Sequence, residues 1–219
     1  MAATLKTTKA PRTVRKRERT RGELIAAAEH LVAQHGMDAI SIDEITEAAD
    51  VAKGTFYTHF ADKSELATAI ADSIRADLEQ KVTMLNQGIA DAAIRTANGL
   101  SSFFAFAINQ PVRARALIRL TPGLVDPDTP INAGIRGDVT LGTNTKRFSV
   151  ASIDAAVVAL IGIAVASVMR LTDGVHRVKE PHEFATQSLT TALVALGLKQ
   201  PDASRVAKAT MERRRKELA

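Results

Sequence analysis

Cysteine and tryptophan are absent from the 219 residues, tyrosine occurs once, and aromatic residues make up 4% of the chain. With no thiol there is no disulfide and no thiolate metal site, and a cytoplasmic setting fits such a composition. Catalytic signatures are missing as well. There is no phosphate-cradling glycine loop, no nucleophile elbow and no paired-carboxylate motif above background. His30 and His35 are five residues apart and His176 and His182 six, neither being the i, i+4 spacing of a helical metal pair. No enzyme, metal or cofactor is expected. A long hydrophobic run is also wanting: the apolar stretch Ala155–Met169 is about 15 residues, short for a bilayer, and follows Asp154. No apolar segment follows the basic start of the chain, which argues against a secretory signal. No membrane role is expected.

What is present suits one or two soluble domains with a sizeable core: 46% of the residues are hydrophobic and 24% charged. The formal charge of +5 is unevenly placed. Residues 1–21 hold Lys6, Lys9, Arg12, Arg15, Lys16, Arg17, Arg19 and Arg21 against Glu18 alone, a balance of +7 that leaves −2 for the rest. Residues 1–19 read as a disordered basic arm, with Arg15, Arg17 and Arg19 tracking phosphate or entering a minor groove. The plainer alternative is a solvated tail that raises solubility.

Directly behind the arm lies the stretch from Ser41 to Glu65. Ser41 with Glu44 three residues on forms a capping box, and Ile40 with Ile45 a hydrophobic staple. A second short helix follows from Lys53 to Phe60, and two helices joined by a tight turn read as a helix-turn-helix. Phe56 and Phe60 share one face and should be buried. Lys53, Thr55, Tyr57, Thr58 and His59 then project elsewhere, an array suited to phosphates and base edges. Gly54 weakens the helix but admits close approach of another backbone.

Helical periodicity continues throughout, so the fold class is all-α. A first helix is expected from about Arg19 to His35, with Leu24, Ala28, Leu31 and Val32 on its apolar stripe and Gly36 as stop. Another runs from Asp62 to about Leu85, with Leu66, Ile70, Ile74, Leu78, Val82 and Leu85 one turn apart. It would connect the DNA-binding head to the carboxy-terminal helices and act as the lever between them. Further helices are expected over 88–109, to Leu120, from Pro127–Pro130 to Asn144, over 153–171, over 180–198, and from Pro201 to the basic cluster Arg213–Lys216. This divides the chain into the arm, a helix-turn-helix DNA-binding domain over 20–66 with its connecting helix to about 85, and a second helical domain over 86–219. Small residues Ala155, Ala159, Gly162 and Ala166, paired with Ala192, Leu193, Leu196 and Leu198, could build a two-fold four-helix interface from helices 153–171 and 180–198. A cavity could close around Phe103, Phe104, Phe106, Asn109, Leu117, Ile118, Leu120, Leu124, Val165 and Met169, although phenylalanine clusters at helical spacing are usually core.

The elements Leu24–Ala28, His35-Gly36, Ile42 with Ile45, Ala49 with Val51, Lys53–Tyr57, His59-Phe60 and Lys63 with Glu65-Leu66 together resemble the amino-terminal domain of the tetracycline-repressor-like (TetR) transcriptional regulators. The resemblance covers residues 20–66; beyond it, only the helical layout corresponds. It implies base-facing positions for Lys53 and Gly54, phosphate contacts for Thr55, Tyr57, His59 and Lys63, and a backbone contact for Ser41. It also implies a homodimer through the last two long helices and a small-molecule effector, so that 86–219 is an effector-binding and dimerisation domain. Three departures stand out: Asp50 at the usual turn glycine, Ala52 at the usual Ser or Thr cap, and Thr46 at a small alanine. The expectation is an effector-responsive dimeric repressor on a palindromic double-stranded DNA operator. A non-specific architectural DNA binder is the alternative, and an all-helical ligand carrier a distant third.

Overall fold

The computed structural model describes residues 12–121, 123–129, 132–176 and 178–217. Residues 1–11 of the expected arm, and Pro122 and Pro130 of the expected helix punctuation, lie outside them. Ten α-helices and no strand occur among the described residues, so the chain is all-α. It divides into two compact units, residues 1–69 and 70–219, with the boundary inside the fourth helix.

Unit 1 contains α1 (Arg12–His35), α2 (Ile42–Ala48), α3 (Lys53–Tyr57) and the start of α4 (Lys63–Asn86). Helix α1 begins well before the expected Arg19, so residues 12–19 are helical rather than an unstructured arm. Arginine and lysine are good helix formers, and the Arg19–Glu23 pair at 3.6 Å spans one turn. Leu24, Ala28 and Val32 are buried, and Gly36, in the left-handed region, stops the helix with its amide donating to Val32 O. The capping box forms as expected: Glu44 N–H donates to Ser41 Oγ (3.1 Å) and Ser41 N–H to Glu44 Oε2 (2.7 Å). The substituted turn is accommodated. Asp50 takes φ 53 in the glycine position. The Thr46 hydroxyl, buried where an alanine was expected, donates to Ile42 O and Asp43 O. Ala52 caps α3 with no side-chain bond. Phe56 and Phe60 are buried with ring centroids 5.8 Å apart.

Unit 2 contains the rest of α4, then α5 (Ala92–Asn109), α6 (Pro111–Leu120), α7 (Ala133–Asn144), α8 (Ile153–Leu171), α9 (Pro181–Ala195) and α10 (Gln200–Glu217). Helix α5 is its centre, packed by α7, α8, α9 and α10. It starts at Ala92 rather than 88 because Gly88 has positive φ and Asp91 caps the new helix by accepting from Ala93 N–H at 2.8 Å. Asp91 also accepts from Arg147 Nε (3.0 Å), whose Nη1 donates to Asp202 at 2.6 Å, so one guanidinium joins the starts of α5 and α10. Helix α7 starts at Ala133 because Asn132, buried, spends its amide on Leu124 O and Asp126 O, both at 2.8 Å, holding the preceding residues as turns. Helix α9 stops at Ala195, ahead of Gly197 at φ 88.

By length and composition α8 could cross a membrane, with a mean hydropathy of 2.0. Its Val157, Leu160, Ile161, Ala164 and Val168 are instead buried in the core of unit 2. Its other face, Ala155, Val158, Ala159, Gly162, Ala166 and Met169, is exposed and apolar. The expected interface residues Ala192 and Leu193 of α9, and Leu196 and Leu198 just beyond its end, are buried in the same core. The first two take the inward stripe of α9, which leaves Gln187, Thr191 and Val194 outside.

Two glycines of this unit are sterically required. A Cβ at Gly142 would overlap the buried Phe148 ring, and one at Gly197 would lie 2.8 Å from Ser149 O. Gly142→Ala is expected to destabilise unit 2 by about 1–3 kcal/mol through overpacking. The check is a lowered thermal midpoint beside an unchanged or raised one for Gly162→Ala, where the added Cβ meets nothing within 4 Å and alanine favours the helix.

Candidate nucleic-acid interface and effector cavity

Of the expected DNA-facing set, Ser41, Lys53, Gly54, Thr55, Tyr57, Thr58 and His59 are placed by α2, α3 or the flanking turns. Lys63 opens α4, and Arg15, Arg17 and Arg19 lie on α1. Ser41, Lys53, Gly54, Tyr57 and Thr58 are exposed, while Thr55, His59 and Lys63 are half-buried. Tyr57 is 53% exposed and stands edge-on to Phe56 with centroids 5.4 Å apart, which stiffens the stem carrying its hydroxyl. No atom lies within 4 Å of a Cβ built at Gly54, so the outer side of the first turn of α3 is open. Thr58 Oγ1 donates to Thr55 O at 2.7 Å and caps the end of α3.

The basic residues divide by their partners. Lys53 Nζ lies 2.8 Å from Asp43 of α2, and that carboxylate raises its pKa. Lys63 Nζ donates to Met37 O (3.1 Å) and Ile40 O (2.6 Å). Its ammonium therefore ties α4 to the chain before α2, a role invisible in the motif because the partner carbonyls lie far away in sequence. Arg17 Nη2 donates to Thr58 O at 3.4 Å, and the Arg21 guanidinium sits 4.9 Å over the Phe60 ring. Arg15 and Arg19 are exposed on α1. Arg17 and Arg21 thus converge on the end of α3. Beside them His59 Nδ1 is enclosed without a hydrogen-bond partner, and its pKa is lowered by burial and by these two cations.

Unit 2 holds a half-open cavity of about 880 Å³. Of the residues expected around it, Phe103, Leu117, Leu124 and Val165 line it. Phe104, one position round α5 from Phe103, points into the core instead. Phe106 and Asn109 belong to a separate recess of about 120 Å³ with Asp77 and Arg113. Ile118 packs half-buried against the core, and Leu120 and Met169 line neither space, Met169 being exposed. These corrections share a cause. Helical spacing shows that residues share a stripe but not which neighbour that stripe meets.

The sequence reading missed the polar lining: Arg75, Asn86, Arg95, Thr96, Asn132 and Asp138. Arg95 Nε donates to Asp138 at 2.6 Å and its Nη1 to Asn86 O at 3.3 Å. Burial pushes the Asp138 carboxyl up, opposed by the hydrogen bond and charge of Arg95. Leu78 and Val82, the later positions of the α4 stripe, also border the cavity. His30 shares a hydrogen bond with Gln34 at 2.9 Å, and no group of three metal-ligating side chains occurs among the described residues.

Residues 24–70 match the family model described as bacterial regulatory proteins of the tetR family. Similar solved structures extend the likeness along most of the chain. RolR in complex with resorcinol is 26% identical, with a TM-score of 0.54, covering 89% of this chain and 95% of that one. A gamma-butyrolactone receptor, an ArpA-like protein, is 20% identical with a TM-score of 0.69, covering 90% and 99%. CprB from S. coelicolor A3(2), a TetR family protein, is 22% identical with a TM-score of 0.66, covering 90% and 98%. At these lower identities the likeness is one of fold.

The lowered pKa of His59 has a consequence for stability. A histidine whose folded pKa lies below its unfolded value contributes stability that is present above the ordinary histidine range and is lost as pH falls through it. The thermal midpoint is therefore expected to fall between pH 7.5 and pH 5.5 by more in the unaltered protein than in His59→Gln. Equal losses in the two proteins would show that burial of His59 carries no proton linkage.

Proposed function

We propose that the chain, whose residues 24–70 match the family model of bacterial regulatory proteins of the tetR family, is a cytoplasmic dimeric repressor of that family. On this reading a small apolar or amphipathic molecule releases it from a palindromic operator. The observation that carries the ligand-responsive part is the large cavity in unit 2, in a chain whose unit 1 is a helix-turn-helix. Relatives of the same fold are described as bound to resorcinol and as a gamma-butyrolactone receptor, which supports the reading.

Recognition is assigned to α3. Lys53 and the open turn at Gly54 meet base edges, Tyr57, Thr55, Thr58 and His59 meet phosphates, and Ser41 meets the backbone from α2. Lys63 supports this surface by tying α4 in place, and Arg15, Arg17 and Arg19 supply positive field along α1. The exposed apolar stripe of α8 supports dimerisation. A surface of Ala155, Val158, Ala159, Gly162, Ala166 and Met169 lets a second copy approach closely. Gly162→Arg is expected to yield a monomer in sedimentation with its fold intact. A helix-turn-helix dimer reads two half-sites one or more helical turns apart. Ligand binding acts by favouring a state whose two heads no longer fit successive grooves, with α4 as the connecting element.

The decisive experiment measures binding to the DNA upstream of the protein's own gene, against scrambled competitor, at two salt concentrations. Binding is expected to survive competitor at the higher salt and to fail in Tyr57→Ala. Loss to competitor, together with loss on removing residues 1–19, would instead favour the non-specific architectural reading. Gly54→Ala gives a second check with two opposite signs. The helix gains up to about 1 kcal/mol of stability from the substitution, while the added methyl group obstructs DNA and weakens operator binding.

A further inference from the structure

Resting on the reading of the unit 2 cavity as an effector site, we propose that its ligand is an uncharged apolar molecule carrying a hydroxyl group. That hydroxyl donates to the Asp138 carboxylate, and its oxygen in turn accepts from Thr96 Oγ1.

Charge balance in the lining comes first. Four charged side chains border the cavity, Arg75, Glu79, Arg95 and Asp138, and they cancel. Arg75 is paired with Asp72 and lies 3.7 Å from Glu79, while Arg95 holds Asp138 at 2.6 Å. A ligand anion would find its cations already spent and a carboxylate facing it. A ligand cation would face two guanidinium groups. An uncharged molecule meets neither penalty.

Hydrogen-bonding capacity comes second. Asp138 is 6% exposed, and the one side chain that bonds it among the described residues is Arg95. An ionised carboxylate offers about four acceptor sites, so this group has acceptor capacity to spare for a donor in the cavity. Burial already holds its carboxyl above the usual range, and a donated hydroxyl relieves that desolvated acceptor.

Thr96 is the third and independent observation. It is 2% exposed, and its hydroxyl is enclosed without a partner. Most helical threonines in this unit return the hydroxyl to the carbonyl four residues back, as Thr140, Thr143, Thr190 and Thr210 do at 2.8–2.9 Å; exposed Thr83 makes no such bond. Nor does buried Thr96, which lines the cavity. Gly99 and Phe103 follow it on the same face of α5, one clearing space and the other supplying apolar surface. With Leu100 beside them on α5 and Ile161 and Val165 contributed by α8, the site is apolar with a few convergent polar groups, and about 880 Å³ holds a ligand of drug-like size.

The test is calorimetry on the full chain with three matched probes, 4-hexylphenol, its methyl ether and 4-hexylbenzoate. The phenol is expected to bind at least about tenfold tighter than either of the others. Asp138→Asn frees Arg95, so it should weaken the phenol about tenfold and strengthen the benzoate, reversing their order. Thr96→Val changes no charge and keeps the shape. It should weaken the phenol severalfold while leaving the melting temperature unchanged or raised, and it carries the test if Asp138→Asn fails to fold. Equal affinity for the phenol and its ether, or a benzoate preferred by the unaltered protein, overturns the proposal. Binding in the expected order without release of bound DNA overturns the effector reading and leaves the ligand class standing. If none of the three binds, both fall, because the cavity is then no open apolar site.

Discussion

A carboxylate cannot be buried in a helical domain unless a cation and hydrogen bonds meet it there. In unit 2 that requirement falls on Asp138 of α7, and Arg95 of α5 answers it. The same guanidinium donates to Asn86 O, and Asn98 of α5 donates to Asn86 Oδ1 at 2.9 Å and to Leu85 O at 3.3 Å. The last carbonyls of a helix have no partner within it, and here α5 supplies partners for the end of α4. One ion pair and two asparagines therefore join α4, α5 and α7, and the cavity lies along the residues they bring together. A molecule entering beside Asp138 acts on the groups that fasten the end of α4.

Unit 1 meets a different demand, since a recognition surface must be polar, exposed and yet fixed. Its fixing comes from beneath and from the sides: Phe56 and Phe60 anchor α3, the capping box fixes the start of α2, and Lys63 ties α4 to the residues before α2. The exposed side chains then need little structure of their own. This explains how Ala52 is tolerated as a cap that makes no side-chain bond, because burial of Phe56 holds so short a helix better than its own ends could.

Local chemistry was legible in the sequence and tertiary partnership was not. The capping box at Ser41 and Glu44 and the burial of Phe56 and Phe60 follow from a few adjacent residues, and the left-handed Asp50 from the family resemblance. The Arg95–Asp138 pair joins positions 43 residues apart, and nothing in either neighbourhood announces the other. The lysine at 63 looked like a free cation because its carbonyl partners lie 23 and 26 residues away. Ala192 and Leu193 were taken for an outward face, since an apolar stripe does not say whether its own chain or a second copy covers it. Phe103 and Phe104 were indistinguishable in sequence and separated in space, one at the cavity and one in the core. The helical start at Arg12 escaped notice because charge density was read as disorder, although arginine and lysine favour helix as much as solvent.

The contact between Lys53 and Asp43 gives α3 a resident competitor. An ammonium held 2.8 Å from a carboxylate reaches an acceptor on DNA only by exchanging one partner for another. The gain from any target is thus the difference between two pairings, and weak acceptors leave the internal one intact. If α3 reads DNA as proposed, discrimination between sequences is partly written in α2, on a side chain that itself need touch no base. A change at position 43 would alter how selective the surface is while leaving every residue of the recognition helix as it stands.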